Sequence, residues 1–474
     1  MLGTGFFMFY AVAWLHLQSY FSIIVFGSML VVLSLLVYRR TAGRTNIKKI
    51  IRDRNTYHVL LIIIATGVIL RMSWVVLVPP VQLSDYKDYL EAAHRLIYTG
   101  SYYYIYDNHV LYAWRPPGYP FFLAACIFLW GDHPAMPTII NLIFYLLTSI
   151  LVYRIVIVLS GEKKAGLFAV LILALWPSYI AITGLAASEH LSILLFTAVF
   201  WFFWVANKEI TDRHSWIYAG MTGLLTGYGA LVKPPLQMLP VLWILYILML
   251  KKERKFAIRN AVIALLSMAI IILPWTIRNY YKLGGLVAIS SNGGDVFYRA
   301  NNPMASGSFE RTGERDLTIY LSDEILWSKK GFEWGKEWIK QHPIDFIKLS
   351  IKKMGLLLGE DTSGIYWTLE RGHQQTGIGY KILLAFSDFW WITVWILVIC
   401  GTIRSWHYLT GHASGGLLLW MILFFVVVHS VFESHSRYHM PMIGLLSVLA
   451  AFTFPSSYNC QPGIKKDIQN SILK

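Results

Sequence analysis

Apolar runs close to 20 residues recur along the chain, separated by short stretches that are either basic or rich in tyrosine and aspartate. Runs of that length match the hydrocarbon thickness of a bilayer when helical. The pattern predicts an all-α polytopic membrane protein with spans at 58–78, 138–160, 166–186, 191–206, 215–232, 235–250, 257–275, 380–402, 417–428 and 440–454. Residues 1–38 lack a basic leader and a small-residue cleavage site, and their apolar run ends at Tyr38, Arg39 and Arg40. They read as one or two further membrane helices, which brings the expected total to about 11–12.

Charge sets the orientation. Arg39, Arg40, Arg44, Lys48, Lys49, Arg52 and Arg54 crowd one short loop, which the positive-inside rule assigns to the cytoplasm. The stretch Pro79 to Ala113 then falls outside. Tyr119 to Trp130 is apolar but only about a dozen residues long, too short to span. If it stays on the outer side, the loops carrying Lys163 and Lys164, Lys208 and Arg213, and Lys251, Lys252, Arg254 and Lys255 all fall inside. It is therefore read as a juxtamembrane helix.

The organisation follows from this parity. Residues 1–57 form an N-terminal membrane segment and basic loop, 58–275 a transmembrane core with an external loop at 79–137, and 276–379 an external domain. C-terminal helices at 380–455 and a cytoplasmic tail at 456–474 complete the chain. Within the external domain, Pro343 to Leu358 alternates Lys348, Lys352 and Lys353 with apolar residues, as a helix lying in the headgroup region does. No internal repeat and no matched pair of broken helices of the transporter kind is visible.

Composition adds two exclusions. Apolar residues make up 56% of the chain and charged ones 14%, and the net charge of +15 resides largely in the short loops between spans, so nucleic-acid binding is discounted. The three cysteines, Cys126, Cys400 and Cys460, have no metal-ligand or disulfide-framework spacing.

On this topology the unusual polar residues gather on the outer side. Asp85 opens SDYKDYLEAAHRLIYTG, a position that suits a helix N-cap, a solvated loop acid or a catalytic carboxylate. Asp88, one helical turn on, suits first-turn charge complementing the helix dipole. Glu189 sits in a short polar turn between two apolar spans, where a carboxylate is not needed for solubility. Arg278 and Asn279 follow a span; the guanidinium can bind a phosphate bidentately or anchor a helix end. Lys233, before Pro234 and Pro235, suits a phosphate contact or a snorkelling helix end, and Arg71 reads as snorkelling. Glu433, Arg437 and Tyr438 share a short loop with His429, His435 and His439, whose spacing matches no standard zinc signature. Tyr102, Tyr103, Tyr104, Tyr106 and Tyr112 suit sugar stacking or an interfacial aromatic belt.

At these residues the chain resembles the GT-C superfamily of membrane glycosyltransferases, in particular the family 39 group of protein O-mannosyltransferases and lipid A aminoarabinose transferases. The resemblance rests on four stretches. They are the loop with Asp85, Tyr89, Ala93, Leu96 and Gly100 that ends in Arg115, Pro116, Pro117, Gly118, Tyr119 and Pro120; the Ser188 and Glu189 turn; PWTIRNYYKLGG (274–285) with the Asn301, Asn302 and Pro303 patch; and ESHSRYHMPM (433–442). It extends from about residue 58 to 455.

The resemblance implies that Asp85 is the general base of an inverting transfer from a polyprenyl-phosphate sugar to an acceptor hydroxyl on the outer face of the cell membrane. Arg278 is then the expected stabiliser of the departing phosphate and Glu189 the residue orienting acceptor or sugar. Arg437 and Tyr438 would form the far wall or meet the phosphate. Tyr89, Arg115, Lys233, Asn279 and Glu433 complete the expected substrate-binding set, with no cofactor or metal required. Two departures from the best-known members, RPPGYP in place of an HPP-type turn and the lack of a separate soluble C-terminal domain, leave lipid, glycan and protein acceptors all open. The rival readings are a transporter or flippase of isoprenoid-linked sugars, a ligase or polymerase using a pyrophosphate-linked donor, and a non-catalytic scaffold.

Overall fold

The computed structural model describes residues 54–454, apart from 209–213, 251–253, 311–312, 314 and 412. The expected N-terminal membrane segment, most of its basic loop and the C-terminal tail lie outside the described residues.

Among the described residues, five helices are long and apolar enough to cross a membrane: α1 (Arg54–Leu77), α4 (Met136–Ser160), α7 (Ser188–Lys208), α10 (Arg254–Leu283) and α14 (Ile378–Arg404). Between them lie α2 (Asp85–Thr99), α3 (Gly118–Trp130), α5 (Lys163–Ala174), α6 (Pro177–Ala181), α8 (Ser215–Val232), α9 (Pro240–Met249), α11 (Gly293–Ala300), α12 (Glu324–Gln341) and α13 (Pro343–Leu358). Helices α15 (Ala413–Val431) and α16 (Ile443–Ala451) close the chain. Burial orders the bundle. In α7, 94% of the apolar window is buried, against 11% in α1 and 22% in α14, so α7 is the central pillar and the other two leave most of their surface uncovered by the described residues.

Helix α3 is 13 residues long and packs against α2 and α8. The expected span at 166–186 is instead two pieces, α5 and α6, meeting at a 58° bend just before Pro177. Proline disfavours helical backbone in the preceding residue, and Trp176 is extended, at φ −68° and ψ 112°. The break frees carbonyls at the end of α5, and Arg71 satisfies them, donating to Leu173 O and Ala174 O at 3.1 Å each. Its guanidinium stacks on Tyr145, 3.8 Å from the ring centre. Arg71 is thus fully buried and does not snorkel.

Close helix packing depends on glycine where α8 crosses α10. A Cβ on Gly223 would fall 2.0 Å from Ala264 O, and one on Gly227 2.9 Å from Met268 O. Small residues four apart let two backbones meet where lipid supplies no hydrophobic drive for association.

The loop at 79–113 folds into α2 and a two-stranded hairpin, β1 (Tyr104–Tyr106) and β2 (His109–Leu111). Its turn residues Asp107 and Asn108 take φ of 47° and 59°, the left-handed pair that a tight hairpin turn requires. Glu324, at the start of α12, accepts hydrogen bonds from the Tyr112 and Ala113 amides and the Ser291 hydroxyl, tying this loop to the 276–379 segment.

Candidate functional site

Asp85 is the first residue of α2, and the backbone before it is strained. Ser84 has φ 51° and ψ −129°, outside the regions open to side-chain-bearing residues, and its hydroxyl caps nothing in the helix. Such strain costs on the order of 1–3 kcal/mol and persists where the surroundings over-determine it. Ser84 and Asp85 both line a cavity of about 1360 Å³.

Two guanidinium groups hold that carboxylate. Arg115, from the turn before α3, reaches Asp85 Oδ1 at 2.7 Å and Asp88 Oδ2 at 2.8 Å, bridging two acids on one face of α2. Its turn is pinned by the Tyr102 hydroxyl, which lies 3.0 Å from Arg115 O. Arg437, in the 3₁₀ turn Ser436–Met442 that precedes α16, places Nη1 3.0 Å from Asp85 Oδ2 and Nε 2.7 Å from Glu189 Oε1. Glu189, in the first turn of α7, also accepts from Lys233 Nζ at 2.9 Å.

Three acids and three bases thus form one chain of contacts from Asp88 through Arg115, Asp85, Arg437 and Glu189 to Lys233. Three buried atoms in it have no hydrogen-bond partner among the described residues, Arg115 Nε, Arg437 Nη2 and Glu189 Oε2. Burial pushes the Asp85 carboxyl upward, but Arg115 and Arg437, with Lys233 behind them, outweigh it and hold the group below the usual carboxylate range. Asp88, with one bridging arginine and Asp85 beside it, is instead raised by burial.

Other expected site residues fall on the same cavity. Tyr89 lines it and packs edge-to-face on Tyr119 at 5.4 Å. Glu433 and Tyr438 also line it, joined by a 2.6 Å hydrogen bond from the Tyr438 hydroxyl. Glu189 sits just behind the wall, 1% exposed, and acts on the cavity through Arg437 and Lys233.

Arg278 and Asn279 are placed differently from expectation, and neither lines the cavity. Arg278 donates to Tyr112 O at 2.6 Å and Tyr102 O at 2.7 Å, and its guanidinium lies 4.5 Å from the Trp275 ring centre. Asn279 Nδ2 donates to Val287 O at 3.0 Å. Both clamp the loops around the hairpin, because a buried carbonyl needs a donor as much as a ligand does. Tyr102 and Tyr104 are likewise interior, their hydroxyls 3.1 Å apart, whereas Tyr106 faces the cavity.

The three histidines have separate partners: His429 the Glu433 carbonyl, His435 the Arg437 amide, and His439 Asp361 and Leu357 O.

Asp295, Arg299 and the interior position of Lys353 carry no distinguishing mark in the local sequence. Arg299 lies 3.0 Å from Asp295 and 3.3 Å from Glu433 on the cavity wall. An acid and a base four apart on a helix read as an ordinary surface pair. Lys353 was expected at the headgroups with Lys348. It is fully buried and donates to Asn301 Oδ1 at 2.9 Å, and burial brings its ammonium down to about 8.

With this geometry in place, comparison with other proteins gives three findings. The profile of the dolichyl-phosphate-mannose-protein mannosyltransferase family matches residues 114–277, roughly a third of the chain. No curated protein sequence matches. Among solved structures, the apo oligosaccharyltransferase of Archaeoglobus fulgidus aligns with a TM-score of 0.54 at 12% identity, covering 84% of this chain and 50% of that one. The Archaeoglobus fulgidus oligosaccharyltransferase AglB in complex with an inhibitory peptide and a dolichol-phosphate aligns at 0.51 and 14% identity, covering 85% and 50%. The chain therefore spans about half the length of the solved structures it matches. At such identities the likeness concerns the fold: this is an all-α, polytopic membrane protein of the GT-C type.

Proposed function

We propose that this protein is a membrane glycosyltransferase that moves a sugar from a polyprenyl-phosphate donor to an acceptor hydroxyl, with inversion, on the outer face of the cell membrane. The observation that carries the reading is the placement of Asp85 between Arg115 and Arg437 on the wall of one cavity. An ionised acid there can accept a proton, and a guanidinium with a spare N–H lies beside it.

In this reading the acceptor oxygen attacks the anomeric carbon as its proton passes to Asp85. The bond from that carbon to the phosphate oxygen breaks, and polyprenyl phosphate leaves with the electron pair. Arg437 takes over the role first expected of Arg278, because its unpartnered Nη2 is free to receive a phosphate oxygen while Nη1 and Nε hold Asp85 and Glu189. Lys233 supplies further positive charge through Glu189. Preorganised donors of this kind stabilise a developing anion without reorganisation cost.

The design also solves a difficulty. A carboxylate pinned by two arginines is a weak base, since its pKa is held low. A donor phosphate that draws on Arg437 shares that positive charge and lifts the Asp85 pKa when the donor is bound. Base strength then rises in the loaded complex.

The pyrophosphate-donor reading has one observation in its favour: beyond Arg115, Lys233 and Arg437, the cavity is also lined by Arg315 and Arg371. Purified protein in lipid nanodiscs, given radiolabelled polyprenyl-phosphate and polyprenyl-pyrophosphate sugars in turn, separates the two. Turnover of the monophosphate donor with release of polyprenyl phosphate is expected. Turnover of only the pyrophosphate donor would reassign the donor class, and inertness toward both would overturn the enzyme reading.

A further inference from the structure

The cavity has a second polar cluster on its wall, in which Arg299 at the end of α11 stands between two acids. Its Nε is 3.0 Å from Asp295 Oδ2 and its Nη2 3.3 Å from Glu433 Oε2. Nη1 and Nε make no hydrogen bond among the described residues, although Arg299 is only 9% exposed, and Glu433 Oε2, while ion-paired to Nη2, accepts none either. A buried guanidinium N–H and a buried carboxylate oxygen left unsatisfied each cost on the order of 1–3 kcal/mol. Here both atoms belong to residues that line the cavity.

Charge decides what they bind. Arg299 brings one positive charge against two acids, and the buried Lys353, turned toward Asn301 and Val431 O, balances the second. An anion entering here would meet Asp295 and Glu433 as well as Arg299, and a cation would meet Arg299. A neutral group with both a donor and an acceptor meets neither penalty. A vicinal diol is such a group: one hydroxyl oxygen accepts from Arg299 Nη1 while the other hydroxyl donates to Glu433 Oε2. Phe309, whose ring centre is 4.4 Å from the guanidinium, and Tyr438, bonded to Glu433 Oε1, give the cluster aromatic walls and hold its side chains in place.

We propose that Asp295, Arg299 and Glu433 form a second recognition point that binds the vicinal diol of a neutral sugar, separate from the Asp85 pole. This rests on the glycosyltransferase reading only for its biological meaning, in which the sugar belongs either to a glycan acceptor or to the donor. The binding itself requires no transfer.

Saturation-transfer NMR on the nanodisc protein without donor tests it, using methyl α-mannopyranoside and methyl β-glucopyranoside as probes. 2-Methoxytetrahydropyran, which keeps the ring but has no ring hydroxyls, serves as the control. The expected result is saturation of at least one glycoside but not of the control, at least threefold weaker in Glu433→Gln and Arg299→Lys, with inorganic phosphate at equal concentration failing to displace it. Thermal unfolding and size-exclusion profiles of both variants identify any that misfold. The wild-type comparison of glycosides, control and phosphate stands without them. Absence of saturation for both glycosides, equal saturation of the control, displacement by phosphate, or undiminished binding in folded variants would overturn the proposal. Loss of donor turnover with glycoside binding intact would instead count against the transferase reading alone. Should the subsite hold, adding the donor assigns the sugar: competition between donor and glycoside places it on the donor, and their joint binding places it on the acceptor.

Discussion

Asp85 and Arg437 lie 352 residues apart in the chain and 3.0 Å apart in the structure. The contact joins the start of α2 to the turn that opens the last helix of the bundle, and Arg437 continues it to Glu189 at the head of the central α7. Three distant segments are thus registered at one end of the bundle by a single guanidinium.

Replacing Asp85 by Asn preserves size while removing the base. Sugar transfer is expected to fall by at least about 10²-fold in kcat, the lower end of what a positioned base contributes. Thermal unfolding of the purified variant should show an intact fold, and unchanged turnover would remove Asp85 from the chemistry.

The pH dependence has a defined sign. The Asp85 pKa is depressed, so the carboxylate form persists as pH falls until that low value is passed, and activity that needs it persists too. Arg115 is the largest lowering influence, and Arg115→Gln raises the pKa. The acid limb of the kcat/KM profile, which reports the free enzyme, should move to higher pH, and a limb at the wild-type position would count against the assignment.

Glu189 is buried with two cationic partners, so Glu189→Gln leaves Arg437 and Lys233 short of an anion inside the protein. Breaking a buried ion pair from one side costs about 3–5 kcal/mol. A double-mutant cycle with Arg437→Gln, followed by chemical unfolding, should give a coupling of at least about 0.5 kcal/mol, the scale for residues in one network.

Arg278→Gln tests the corrected role of that residue. Its guanidinium holds the Tyr102 and Tyr112 carbonyls, so the variant should unfold at lower temperature while KM for the donor stays near the wild-type value. A rise in KM without loss of stability would return Arg278 to the phosphate.

The orientation is testable by cysteine labelling in a background with Cys126, Cys400 and Cys460 replaced by Ser. Ile105, 57% exposed at the hairpin, should react with an impermeant thiol reagent added outside intact cells, and the exposed Lys164 position should not. The reverse pattern would invert the protein in the membrane.

The sequence by itself determined the helical class, the positions of most apolar helices, the short α3 and the bounds of α13, because helix period and apolar run length act on neighbouring residues and are read from local pattern. It also marked Asp85, Glu189, Arg115, Lys233, Glu433, Arg437 and Tyr438 as out of place for lipid. Only the tertiary structure decided which cations serve the cavity. Arg278 and Arg437 look alike at span ends, yet one clamps loop carbonyls and the other bridges Asp85 to Glu189. Lys348 and Lys353 share a helix, yet one is solvated and the other buried on Asn301. A charge's role depends on which carboxylate or carbonyl arrives opposite it from hundreds of residues away, and no local periodicity encodes that partner.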